Sequence, residues 1–281
     1  MTMVGFLFGF RRIRPRSFAD GWIPPLPYAR NVLKKRLSQQ RVLRRPGYDV
    51  FLPPSVEEFE PTDDDDDHYP GLVLYPGWRV NSTAYAPIVS KLSDEGIVVV
   101  VVAVPLDNFG SLRHPPVKEE TARYLRIVYR LLVELEDFPV RSWAVGGHAD
   151  GGNLAAKIAL ATSPGTTKLV LWGCGAQHKE LSRTSALEVL VLNGSEDPLF
   201  LRQTGRKKHG CRTVSLTILG GNHNGFGHYE SRSPEQDGQR TIPLDQQQAV
   251  VVDTTSLFLH ERLRSPQTLV EERRLLEEQE P

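Results

Sequence analysis

The chain has 281 residues, 40% of them apolar and 24% charged, with a formal net charge of zero. That suits one large α/β domain with extensions, and no apolar run approaches the roughly 20 residues that span a bilayer, which argues against integral membrane association. Balanced charge gives no electrostatic reason to expect nucleic acid as a partner. The two cysteines, Cys174 and Cys211, are too few for a disulfide framework and favour an intracellular, reducing setting.

Residues 1–68 read as an extension. Arg11, Arg12, Arg14 and Arg16, then a second basic group from Arg30 to Arg45, face only one acid, Asp20, in the first 45 residues. The apolar stretch 3–10 precedes these arginines, the reverse of a secretory signal, while the Arg-rich, acid-poor character suits organellar targeting, a basic surface segment or peripheral membrane contact. The compartment stays open. Residues 56–68 turn acidic and include the run Asp63 to Asp67, which reads as a self-repelling linker.

The domain is expected over residues 69–264, followed by a charged tail, 265–281. From Tyr69 short β-branched runs alternate with helical spacing and Gly/Pro/Asn turns, the mark of strands feeding a parallel sheet. Strands are expected at 72–75, 97–104, 142–146, 168–172, 189–193 and 214–219, and helices at 119–135, 152–161 and 244–260. The nearly all-valine stretch 97–104 is too apolar for a strand with one wet face, which makes it a central strand. The predicted fold is a doubly wound, mostly parallel sheet with helices on both faces.

The chemistry-bearing stretch is residues 145–153, VGGHADGGN. A strand that ends in glycines and re-enters a helix through more glycines is the backbone of a nucleophile elbow, whose centre sits on a strained turn between small residues two before and two after. Gly147 and Gly151 fill those two places, so Ala149 stands at the centre, where a nucleophile belongs. After later strands come NGSED (193–197), with Asp197 as candidate orienting acid, and GGNHNGFG (220–227), with His223 as candidate base. The YPGW stretch (75–78) places backbone amides of Gly77 and Trp78 as candidate oxyanion donors beside that of Asp150.

Asp150 is an alternative nucleophile, but centring the elbow on it would put His148 where a small residue is needed. Its ordinary reading is an acid favoured by a helix N-terminus. Cys174 reads as a buried inert thiol rather than a nucleophile. His148 reads as a packing histidine, and His114 and His228 as surface or loop residues. No metal-ligand spacing appears, since a tight glycine turn points His148 and Asp150 apart; neither a metal nor a cofactor is expected.

In the stretches GLVLYPG, AYAPIVSKLSDEG, GGHADGG, LVLWG, NGSED and GGNHNGFG the chain resembles the α/β-hydrolase family, and within it the alpha/beta hydrolase fold-5 group, over residues 71–260. The resemblance implies an α/β-hydrolase fold and hydrolysis of small ester-like substrates by a serine, acid and histidine, with Asp197 and His223 matching the last two. Serine is the residue that Ala149 replaces. Two functions follow as expectations: weak or altered hydrolysis, or a catalytically inactive pseudohydrolase that holds a small ligand or a protein partner in the former active-site pocket.

Overall fold

Alternation of apolar side chains along the strands decides the architecture. The computed structural model describes residues 23–54, 68–103, 117–135, 137–174, 181, 186–201, 211–231 and 234–261. Strands β1 (Val42–Arg45), β2 (Tyr48–Phe51), β3 (Tyr69–Tyr75), β4 (Val98–Val102), β5 (Val140–His148), β6 (Lys168–Trp172), β7 (Glu188–Gly194) and β8 (Arg212–Ile218) form one sheet in the order β1-β2-β4-β3-β5-β6-β7-β8. Pairing is antiparallel from β1 through β2 to β4 and parallel from β4 onward.

Successive strand residues point to opposite faces. Leu72, Leu74, Val99, Val101, Leu190 and Leu192 meet α1 (Pro27–Ser38), α2 (Ala86–Asp94) and α7 (Leu244–Leu259) through Leu33, Ile88, Leu92, Val251 and Phe258. On the other face Val73, Val98, Val100, Val189 and Val191 meet α3 (Val117–Glu134) and α4 (Asp150–Thr162). In α3 the buried residues Tyr124, Ile127 and Leu131 recur at helical spacing, so one stripe of the helix packs and the rest meets water. All five valines of β4 are buried, each contributing about 1.5–3 kcal/mol as an upper estimate. The doubly wound, mostly parallel sheet with helices on both faces is thus present, and it is the α/β-hydrolase fold. Among the described residues no helix is long and apolar enough to cross a membrane.

The boundary expected at Tyr69 falls inside this fold. Helix α1 packs on α2, and β1 and β2 extend the sheet at the β4 side, with Val42, Val50 and Phe51 buried. Arginine content disguised these elements. Arg36 and Arg41 pair with Asp94 (Arg41 at 2.9 Å), Arg44 with Asp49 (2.9 Å) and Arg45 with Glu134 (3.4 Å), so the charges lace the surface of a packed hairpin. Gly47, at φ +87°, supplies the left-handed residue of the Pro46-Gly47 turn between β1 and β2.

Residues 23–26 cross from the loop after β3 to the loop after β8. The Ile23 N–H donates to the Arg79 carbonyl (2.8 Å), its own carbonyl accepts from Asn81 N–H (3.1 Å), and Leu26 N–H donates to the His228 carbonyl (2.8 Å). The short helices α5 (Pro198–Leu201) and α6 (Pro234–Asp237) flank the loops at the same end of the sheet. The acidic run 63–67, the basic stretch 1–22, residues 105–116, including His114, and the tail 265–281 lie outside the described residues.

Candidate active site

The elbow forms where the glycine pattern places it. Strand β5 ends at His148, α4 begins at Asp150, and Ala149 between them has φ 51° and ψ −119°. A residue with a Cβ is strained there by about 1–3 kcal/mol. The turn is pinned by Ala149 N–H donating to the Trp172 carbonyl (3.0 Å) and by the Ala149 carbonyl accepting from Gly152 N–H (3.0 Å) and Asn153 N–H (3.2 Å). Gly147 and Gly151 are required by contact: a Cβ on Gly147 would lie 2.3 Å from the Gly151 carbonyl carbon, and one on Gly151 would lie 2.2 Å from the Tyr75 oxygen. Strand, helix and the end of β3 therefore meet backbone to backbone, and the half-buried Ala149 presents a methyl group at the crossing.

Asp197 and His223 come together. His223 Nδ1 lies 2.8 Å from Asp197 Oδ2, with both side chains buried. A carboxylate oxygen accepts, so Nδ1 carries the hydrogen and Nε2 is left as the basic nitrogen. The second Asp197 oxygen accepts from Leu199 N–H (2.8 Å), which fixes the carboxylate's rotation. The Asp197 turn and the His223 loop are also joined through their backbones, Glu196 N–H to the Gly221 carbonyl (2.8 Å) and Ser195 N–H to the Ile218 carbonyl (3.0 Å).

Helix α7 clamps this loop. The fully buried Gln247 accepts from Asn222 N–H (3.1 Å) and donates to the Asn222 carbonyl (2.9 Å), while the Asn222 side chain accepts from Gly225 N–H (3.1 Å) and donates to the Gly238 carbonyl (2.9 Å). Sequence reasoning missed both. The glutamines ahead of the valine run of α7, Gln247 and Gln248, were the available signal, because a buried amide is retained only where partners satisfy it.

The oxyanion candidates separate. Gly77 N–H donates to the Tyr85 hydroxyl (2.9 Å), so its hydrogen is already engaged. Trp78 is half-buried, with the Arg79 guanidinium 4.2 Å over its indole ring, and Asp150 opens the first turn of α4. Trp78 and Asp150 amides remain the candidates. The Tyr85 hydroxyl in turn lies 2.8 Å from His148 Nδ1, and His148 Nε2 lies 3.1 Å from the His223 carbonyl oxygen.

Cys174 is buried, its Sγ 3.4 Å from Asn153 Oδ1, and burial together with the Asp150 and Asp197 carboxylates pushes the thiol up to about 12. It is not a thiolate at neutral pH. His228, expected as a surface or loop residue, lies in the loop after Phe226 and is half-buried: its ring packs 5.0 Å from Tyr28 and its Nδ1 is 3.2 Å from Gln248 Nε2. Burial, then Lys91 and Arg240, bring it down to about 4, which keeps it neutral. Among the described residues no group of three or more His, Cys, Asp or Glu side chains is arranged to hold a metal ion.

With this geometry in view, the comparisons with known proteins agree on the architecture. Residues 130–249 match the alpha/beta hydrolase family, a stretch that runs from α3 through the elbow and the Asp197 turn to the start of α7. Among solved structures the chain is similar to a serine-to-alanine mutant of LAE6, an alpha/beta hydrolase enzyme from the metagenome of Lake Arreo, Spain. The identity is 15% over 78% of this chain and 80% of that one, with a TM-score of 0.51. It is similar to the ferulic acid esterase from Streptomyces cinnamoneus at 19% identity over 72% of this chain and 70% of that one, TM-score 0.51. For Est1E from Butyrivibrio proteoclasticus the identity is 15% over 79% and 97%, TM-score 0.50. At such identities the likeness establishes the fold. No curated protein matches the sequence.

Proposed function

We propose that the chain is an esterase-like hydrolase of small molecules that works without an acyl-enzyme, His223 activating water directly beside Ala149. The observation that carries this reading is the buried His223–Asp197 pair at 2.8 Å, a base with its orienting carboxylate, held next to an elbow that has kept its strained backbone. A methyl group cannot attack a carbonyl, so acyl transfer to residue 149 is closed. In the remaining route water loses a proton to His223 Nε2 as its oxygen bonds to the ester carbon. The Trp78 and Asp150 amides meet the developing oxyanion, and the alcohol leaves with the proton returned from His223. Ester and water give acid and alcohol. Triads stripped of their nucleophile retain roughly a thousand-fold of catalysis over water, which sets the scale.

The methyl itself favours a second reading, a pseudohydrolase that holds an ester-like molecule or a protein partner in the old pocket without converting it. Hydrolysis of p-nitrophenyl acetate by the wild-type protein and by His223→Ala separates the two. Wild-type turnover above the His223→Ala background supports the hydrolase. Equal rates, with the ester bound but unchanged for hours, leave the pseudohydrolase.

A further inference from the structure

His148 stands one residue before the elbow centre, 1% exposed, with its ring 4.8 Å from that of His223. Its hydrogen-bond directions are fixed from both ends, because a backbone amide only donates and a carbonyl oxygen only accepts. The His223 carbonyl, 3.1 Å from His148 Nε2, requires the hydrogen on Nε2. In the neutral ring Nδ1 is then an acceptor, and the Tyr85 hydroxyl at 2.8 Å donates to it. The Tyr85 oxygen accepts from Gly77 N–H at 2.9 Å, which closes the chain. One directed series of hydrogen bonds therefore runs from the loop after β3, through the one-turn helix Ser82–Tyr85, across the elbow and into the His223 loop.

We propose that Tyr85 and His148 are positioning residues that set the height of His223 over Ala149 by gripping its main-chain carbonyl, while Asp197 sets the ring's rotation. His223 is thus located at two independent points, its Nδ1 and its carbonyl oxygen. This accounts for a bulky ring amid the glycines of the elbow, and for a Gly77 amide turned to Tyr85 instead of toward substrate. The inference rests on the hydrolase reading of the site.

The test uses the fact that a glutamine amide can replace a histidine Nε2 donor, whereas an asparagine amide reaches only as far as Nδ1. In the Ala149→Ser protein, His148→Asn and Tyr85→Phe are expected to lower kcat for p-nitrophenyl acetate roughly ten-fold or more at unchanged KM, and His148→Gln to restore most of it. Imidazole nitrogen chemical shifts give a readout that needs no activity. His148 should carry its hydrogen on Nε2 in the wild-type protein. The His223 ring-nitrogen shifts should move in His148→Asn and Tyr85→Phe and stay in place in His148→Gln. Hydrogen on His148 Nδ1, or identical behaviour of the Asn and Gln variants, overturns the proposal. Wild-type turnover no higher than that of His223→Ala sinks the hydrolase reading and leaves the nitrogen shifts to decide this one. Should His148→Asn fail to fold, Tyr85→Phe, which removes one buried oxygen, carries the test.

Discussion

The two halves of the candidate site are furnished with polar side chains to different degrees. In the half built on β7, β8 and α7, Asp197, His223 and Gln247 are all within hydrogen-bond distance of their partners. The half built on β5 and α4 has a strained φ at Ala149 and a backbone-to-backbone glycine crossing, with a methyl group at its centre. The geometry of such a turn is therefore set by backbone packing, whereas the atom it presents is set by one side chain.

The sharpest way to press this contrast is to place an oxygen at residue 149. Ala149→Ser is expected to raise p-nitrophenyl acetate turnover about a thousand-fold or more over wild type, since deleting such a nucleophile costs on the order of a million-fold. A gain under ten-fold would mean that the His223 half is not aligned with the elbow. Breaking the elbow's backbone comes next. Gly151→Ala forces a Cβ against the Tyr75 and Pro76 carbonyls and should cost about 3 kcal/mol in urea unfolding. Gln247→Leu strips partners from the Asn222 N–H and carbonyl and should cost about 2 kcal/mol, with loss of whatever activity Ala149→Ser confers.

Smaller effects sharpen the comparison. Ala149→Gly should stabilise the protein by about 1 kcal/mol, the relieved strain exceeding the backbone entropy cost of glycine; destabilisation would show that the methyl packs against something that matters. The acid limb of the stability curve reads His228. Its ring is held near 4 in the folded protein against 6.5 when unfolded, so between these values the unfolded chain binds the extra proton. Stability is complete above pH 6.5 and falls as pH drops toward 4, by on the order of 1 kcal/mol after allowing for partial exposure. His228→Phe should flatten that slope in pH-dependent melting.

Much of the frame was legible because parallel strands buried on both faces leave an unmistakable β-branched signature. The run expected over 168–172 forms as β6 (Lys168–Trp172), the valine run becomes the interior strand β4, and the helix expected over 244–260 forms as α7 (Leu244–Leu259). The glycines announced the elbow, since backbone contact leaves a composition trace. Elements α1, β1 and β2 were hidden because their arginines are answered by acids distant in sequence, Asp94 and Glu134 among them. Tyr85 was unreadable for the same reason: its partner His148 is 63 positions away, and no local pattern encodes a contact of that range. Gln247 reaches Asn222 across 25 positions and left only an odd polarity in α7.

The short crossing at residues 23–26 bears on how the molecule can be cut. Seen as sequence, the basic head looks like a removable leader, and Pro27, where α1 starts, is an inviting place to trim. Those few residues lash the loop that carries Trp78 and Arg79 to the one that carries His228 and Tyr229. A protein shortened to Pro27 would keep its sheet and lose the cord across its mouth, so a healthy circular dichroism spectrum would say nothing about whether the site still holds its shape.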